Sequence, residues 1–194
     1  LMANAFLAQR ISSINTVSAI CESTGANVEE VSVAIGMDTR IGSKFLNSGP
    51  GFGGSCFKKD ILNIVYLSRY YGLPEVGDFW ESVIKINSWQ QRRIYKTIVE
   101  KLYGNLVNKK IAILGFAFKA NTNDTRESPS ITICHYLIKE GCNLAINDPK
   151  VEEDEIIRKF DHEYKNQIMV NQNIYEAVNN SDAVLILTDW DQYK

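Results

Sequence analysis

Residues 109–149 read KKIAILGFAFKANTNDTRESPSITICHYLIKEGCNLAINDP. Ile111–Phe116 is a short apolar run behind two lysines, the pattern of a strand buried on both faces. Ser128-Pro129 supplies an N-cap and a first-turn proline, and Ile131, Ile133, Leu137 and Ile138 recur at helical spacing up to Gly141. Asn143–Asn147 is a second strand, broken by Asp148-Pro149. Strand, helix and strand at this spacing predict a parallel pair with its crossover helix packed on the sheet. Further along, residues 152–160 read as helix, Gln167–Val170 as strand, Ile174–Val178 as helix and Ala183–Leu187 as strand.

Upstream the texture is helical. Leu7, Ile11, Ile14, Val17 and Cys21 keep helical spacing from Leu1 to about Thr24, and Gly25 stands where a C-terminal stop belongs. Asn27 with Glu30 resembles a capping box and opens a short helix that ends at Gly36. The glycine-rich stretch Met37–Ser55 predicts an irregular loop. Helical periodicity returns from Phe57 to near Gly72. A long amphipathic stretch then runs from Pro74 to Gly104, about 45 Å if helical, long enough to be the spine of a domain that also supports a subunit contact. The expected fold class is α/β overall: an all-α helical domain over 1–104, then an incomplete Rossmann-like parallel α/β domain over 105–194. The chain opens directly into a helical pattern and closes just after a strand, so it reads as a piece of a longer protein.

The 21 Lys+Arg against 23 Asp+Glu give a net charge of −2, which argues against a nucleic-acid protein held by a basic surface. The apolar runs are too short to span a bilayer. No signal peptide is evident, and the four cysteines show no CxxC pair, so free thiols in a reducing cytoplasm are expected. With two histidines, His135 and His162, a metal site has little to draw on.

Cys56 stands out chemically. It follows Gly51-Phe52-Gly53-Gly54-Ser55 and lies where a helix begins. Glycines let the backbone approach a ligand, and a helix N-terminus offers free N–H groups and partial positive charge, features that favour a thiolate nucleophile. Lys59 and Asp60 follow on the same helical face. The plainer reading has Cys56 as a small buried residue beside solvated charges. Cys21, Cys134 and Cys142 read as packing residues. The loop after Ile111–Leu114 is a second candidate, because ligands of open α/β sheets bind beyond the carboxyl ends of strands. Lys119 and Arg126 could meet phosphates there, or form an ordinary charged loop. The GxGxxG fingerprint is missing, so this sheet is not expected to hold NAD. Asn4 and Asn15 share one face of the first helix; spacing alone favours their facing water.

At these residues the chain resembles the UDP-glucose/GDP-mannose dehydrogenase family, most closely its UDP-glucose 6-dehydrogenases. The resemblance lies in three runs, Asn4–Asn15, Gly51–Asp60, and Ile113–Lys119 with Asp124–Ser128. It implies oxidation of UDP-glucose to UDP-glucuronate with two NAD. It further implies an N-terminal NAD-binding domain absent from this sequence, a helical dimerisation domain, and a C-terminal domain that binds the UDP-sugar. By the same resemblance Cys56 is the nucleophile, carrying a thiohemiacetal and then a thioester. Asp60 activates or positions water, and Asn4 helps to hold the sugar end. Phe45, Leu46, Phe52 and Gly53 match the loop around uridine and diphosphate, and Phe118 and Lys119 match the other side of that pocket. Arg40 matches an arginine reaching the neighbouring subunit's ligand, in a homodimer or higher assembly. Lys59 and Arg126 match positions close to NAD. The family lysine that polarises the C6 oxygen falls just before Leu1, and Asn47 departs from members that carry lysine there. The competing readings are a dehydrogenase of another nucleotide sugar, disfavoured by Phe118-Lys119, and a non-catalytic dimerisation and sugar-nucleotide-binding module. A cysteine hydrolase would need a base beside Cys56, and both histidines lie far along the chain.

Overall fold

The computed structural model describes residues 1–194 and divides into two compact units, Leu1–Gln90 and Gln91–Lys194.

The first unit is helical. Helix α1 (Met2–Thr24) ends on Gly25, whose φ of +76° is a left-handed stop that returns its N–H to Cys21 O. Helix α2 (Val28–Gly36) is capped by Asn27, whose Oδ1 accepts the Glu29 N–H at 2.8 Å. After the irregular segment 37–56 comes α3 (Phe57–Tyr70). Helix α4 (Pro74–Lys101) has 28 residues, about 42 Å of axis, and the division between the units falls within it. The core joins Ala5 and Ala8 of α1, Ile61, Ile64 and Val65 of α3, Trp80 and Val83 of α4, and Phe52 from the loop. The two alanines, one turn apart and fully buried, let α3 approach α1 closely. Burying Ile61 completely contributes about 1.5–3 kcal/mol.

The second unit is a parallel α/β layer. Strand β1 (Lys110–Leu114), helix α5 (Pro129–Lys139), strand β2 (Asn143–Asn147), helix α6 (Glu153–Ile157), strand β3 (Ile168–Val170), helix α7 (Ile174–Val178) and strand β4 (Ala183–Ile186) follow in order. The sheet order is β3-β2-β1-β4, every pair parallel, with Ile113 opposite Ile146 on one side and Leu185 on the other. Ile111–Leu114 are all buried, which is why β1 reads as an unbroken apolar run. Ser128 caps α5 as expected, accepting the Ser130 N–H, and Pro129 occupies its first turn. The core gathers Ile111, Ile113, Phe116, Ile133, Leu137, Ile138, Leu144, Ile146 and Ile156 among others.

Three local differences from the sequence reading have physical causes. The helix expected over 152–160 is α6 alone. Lys159 and Phe160 bond back three residues, tightening the chain so that the Phe160 ring turns into the core. A 3-10 turn over His162–Gln167 precedes β3, which starts one residue late. Strand β4 ends at Ile186, although Leu187 still donates to Leu114 O at 2.9 Å.

Candidate active site

Cys56 is the residue before α3, at its N-cap, and its carbonyl accepts the Asp60 N–H at 2.9 Å. It is the exposed cysteine; Cys21, Cys134 and Cys142 are buried and free. Burial pushes the Cys142 thiol up to about 12 and moves Cys134 in the same direction. Ser55 Oγ lies 3.6 Å from Cys56 Sγ. One turn into α3, Asp60 is nearly buried, and its Oδ2 accepts the Asn4 Nδ2 donor from the first turn of α1 at 2.6 Å. Lys59 is exposed beside it. The α1–α3 packing thus gathers Cys56, Lys59, Asp60 and Asn4 at one helix end.

Asn4 and Asn15 depart from the water-facing arrangement that spacing favoured. Asn4 turns to Asp60, and Asn15 is fully buried, with its Oδ1 accepting the Gly49 N–H at 2.9 Å. Burying an amide becomes affordable only when a backbone partner meets it, and the loop supplies one.

That loop carries most of the other expected residues. Arg40 is exposed and grips Asp38 through Nε and Nη2, at 3.0 and 2.6 Å, which holds the Asp38 carboxyl below its ordinary range. Phe45 takes φ +61° with an exposed ring, whereas Leu46 is buried and its carbonyl accepts Ser32 Oγ at 2.7 Å. Phe52 and Gly53 are buried, and the Phe52 ring meets Phe57, the first residue of α3, edge-on at 5.8 Å. Arg10 donates to Ile41 O and Gly42 O at 2.8 and 2.7 Å. Sequence reasoning missed Arg10, Ser32, Asn87 and Gln90 as supports of this loop. Asn87 and Gln90 left one signal: amides three residues apart on the helix face that also carries Val83 and Ile94.

In the second unit the carboxyl end of β1 turns at Gly115 (φ +95°), where an added Cβ would collide with Thr188. The next two N–H groups, of Phe116 and Ala117, point to Asp148 Oδ2 at 2.7 and 3.0 Å. The same carboxylate accepts Lys150 N–H, Val151 N–H and the Trp190 indole. In a dinucleotide fold those turn N–H groups face a pyrophosphate. Here a carboxylate of this chain already takes them, so the sheet does not fit NAD. Phe118 follows, half-buried, with Lys119 Nζ 5.4 Å from its ring centroid, and its N–H closes the loop onto Asp124 O at 3.0 Å. Arg126 is exposed and forked onto Asp124, which lowers that carboxyl's pKa. No group of three or more His, Cys, Asp or Glu side chains is placed to hold a metal ion, and no helix is long and apolar enough to cross a membrane.

With this geometry in place, the likeness to known proteins is informative. Residues 1–89 match the description "UDP-glucose/GDP-mannose dehydrogenase family, central domain", and residues 112–194 match the "UDP binding domain" of the same family. A UDP-glucose 6-dehydrogenase of Arabidopsis thaliana is 50% identical over 210 residues, covering 100% of this chain and 44% of its own length. The Pongo abelii UDP-glucose 6-dehydrogenase is 52% identical over 201 residues, covering 100% and 41%. Among solved structures, a UDP-glucose dehydrogenase from Pyrobaculum islandicum superposes with a TM-score of 0.90 at 31% identity, covering 99% of this chain and 43% of that one. An NDP-N-acetyl-D-galactosaminuronic acid dehydrogenase from Methanosarcina mazei gives 0.79 at 25%, covering 99% and 40%. The chain therefore spans less than half the length of the relatives it matches.

Proposed function

The chain belongs to the UDP-glucose/GDP-mannose dehydrogenase family, and on that premise we propose that it forms the thiol and UDP-sugar-binding parts of an NAD-dependent UDP-glucose 6-dehydrogenase. The observation that carries the reading is the exposed Cys56 at the start of α3, one turn from the nearly buried Asp60 that Asn4 holds at 2.6 Å. The 50–52% identity to enzymes named UDP-glucose 6-dehydrogenase supports UDP-glucose as the substrate.

In this reading the Cys56 sulfur bonds to the C6 carbonyl carbon of the aldehyde-level sugar, and the carbonyl oxygen takes up a proton. The thiohemiacetal keeps a reactive aldehyde from leaving. After oxidation at C6 the sulfur holds a thioester. Water positioned by Asp60 and Asn4 adds to it, the C–S bond breaks, and the thiol is regenerated as the carboxylate departs. NAD, when bound, accepts the two hydrides. Lys59 in the first unit and Arg126 in the second, both exposed, are assigned to contact it.

Phe45, Leu46, Phe52 and Gly53 in the first unit, and Phe118 and Lys119 in the second, are assigned to UDP-sugar binding, by stacking and by charge. Arg40, projecting into solvent, serves the site of a neighbouring subunit in a homodimer or larger homo-oligomer built on the helical unit. A reducing cytoplasm keeps the thiol free. Alone, these 194 residues reduce no NAD and hold UDP-glucose weakly.

The deciding experiment replaces Cys56 by Ser in the complete enzyme and follows UDP-glucuronate release. Release is expected to stall. Undiminished product formation would sink the assignment.

A further inference from the structure

The segment Gly49–Phe52 has no strand to pair with, yet side-chain amides satisfy the backbone at both its ends. Gly49 gives its N–H to Asn15 Oδ1 at 2.9 Å, and its carbonyl accepts Gln90 Nε2 at 2.9 Å. Phe52 gives its N–H to Asn87 Oδ1 at 2.8 Å and accepts Asn87 Nδ2 at 3.0 Å, a cyclic pair. Between them Gly51 takes φ +124°, and an added Cβ there would lie 2.6 Å from Asn87 Oδ1. All three amides are buried, on α1 and α4. Asn15 Nδ2 finds no acceptor. A buried donor left unpaired costs about 1–3 kcal/mol, a cost set against the bond that Asn15 Oδ1 accepts from Gly49. What the amide provides is a fixed position for Gly49.

We propose that Asn15, Asn87 and Gln90 are positioning residues for Cys56, a buried amide clamp that sets the loop backbone and through it the turn presenting the thiol. The clamp fixes Phe52, whose ring packs on Phe57 at the start of α3, and only Gly53, Gly54 and Ser55 separate Phe52 from Cys56. Both ends of that turn are thereby anchored. The inference rests on the reading of Cys56 as the nucleophile, but its test does not.

The test measures the rate of Cys56 alkylation by iodoacetamide across a range of pH, on the full 194-residue chain without UDP-glucose or NAD. Asn87→Leu, Gln90→Leu and Asn15→Leu are compared with the unaltered chain and with Ile64→Val, a core change costing about 0.5–1.5 kcal/mol that removes none of the clamp hydrogen bonds. Circular dichroism at the assay temperature selects folded samples. Asn87→Asp, which keeps the acceptor for the Phe52 N–H, serves where Asn87→Leu does not fold. Each clamp variant is expected to change the rate by about threefold or more at fixed pH, with a smaller change for Asn87→Asp. Ile64→Val is expected to follow the unaltered chain. Folded clamp variants whose rates stay within about twofold of it overturn the proposal. An equal change in Ile64→Val also overturns it, because loss of stability alone would then account for the effect. Failure of the wider functional reading appears separately, as product release by Cys56→Ser.

Discussion

The bond from Asn4 Nδ2 to Asp60 Oδ2 joins the first turns of two helices around a nearly buried carboxylate. A neutral donor suits that position, because it meets the carboxylate without adding charge. Asn4→Asp would set two carboxylates against each other, so one of them would have to take up a proton. The variant is therefore expected to be less stable than the unaltered chain at pH 7. The deficit should shrink as pH falls below about 5, where one carboxyl can protonate. Urea midpoints at pH 7 and 4.5 read the difference, and a deficit independent of pH would contradict the charge argument. Exposure separates the thiols in the same local way. Iodoacetamide under native conditions is expected to add one label, at Cys56, because Cys21, Cys134 and Cys142 are buried. Peptide mass spectrometry showing equal labelling at Cys134 would contradict it.

Among the elements, the turn after β1 depends on Asp148, which accepts five N–H groups from Phe116, Ala117, Lys150, Val151 and Trp190. Asp148→Ala strands the Phe116 and Ala117 N–H groups in a buried place, costing about 3 kcal/mol or more. For a unit of this size that lowers the melting temperature by roughly 10 °C or more, measurable by circular dichroism. A shift near zero would mean that water replaces the carboxylate. Asp148 also marks where the sequence stopped being legible. As Asp148-Pro149 it announced the end of a strand, which is a local message and correct. Its role as acceptor for a turn 31 and 32 residues earlier has no local signal. Asn87 and Phe52, 35 apart, are the same case. By contrast the caps at Asn27 and Ser128, the stop at Gly25 and the four strands were readable, because periodicity and capping act over a few residues. The Cys56–Asp60 spacing was legible for the same reason, whereas the Asn4–Asp60 bond needed α1 and α3 to be packed together first. Helix α6 came out shorter than its pattern because the Phe160 ring had a core to enter.

On the scale of the whole chain, each unit closes its own apolar core, and the perturbed thiols and phenols belong to the second. Burial pushes Cys142 up to about 12. The Tyr95 hydroxyl, which donates to Glu140 Oε1 at 2.6 Å, is raised to about 12 by that bond, and Tyr193 is raised chiefly by burial. These three, and the Cys134 thiol that burial raises likewise, are neutral when folded and ionise more easily when unfolded, near 8.5 for a thiol and about 10 for a phenol. The stability they contribute is complete below those unfolded values and is lost as pH rises toward the folded ones. The second unit should therefore weaken between roughly pH 9 and 12, first through Cys134 and Cys142 and then through the tyrosines. Trp190, buried in that unit, reports on it once Trp80 and Trp89 are replaced by Phe. Its urea midpoint should hold steady up to about pH 8.5 and then decline. Replacing Cys134 and Cys142 together by Ala should delay the onset of the decline, since alanine has no proton to lose. A midpoint flat to pH 11, or an onset unchanged when both cysteines are Ala, would show that the buried thiols do not govern the alkaline limit of this unit.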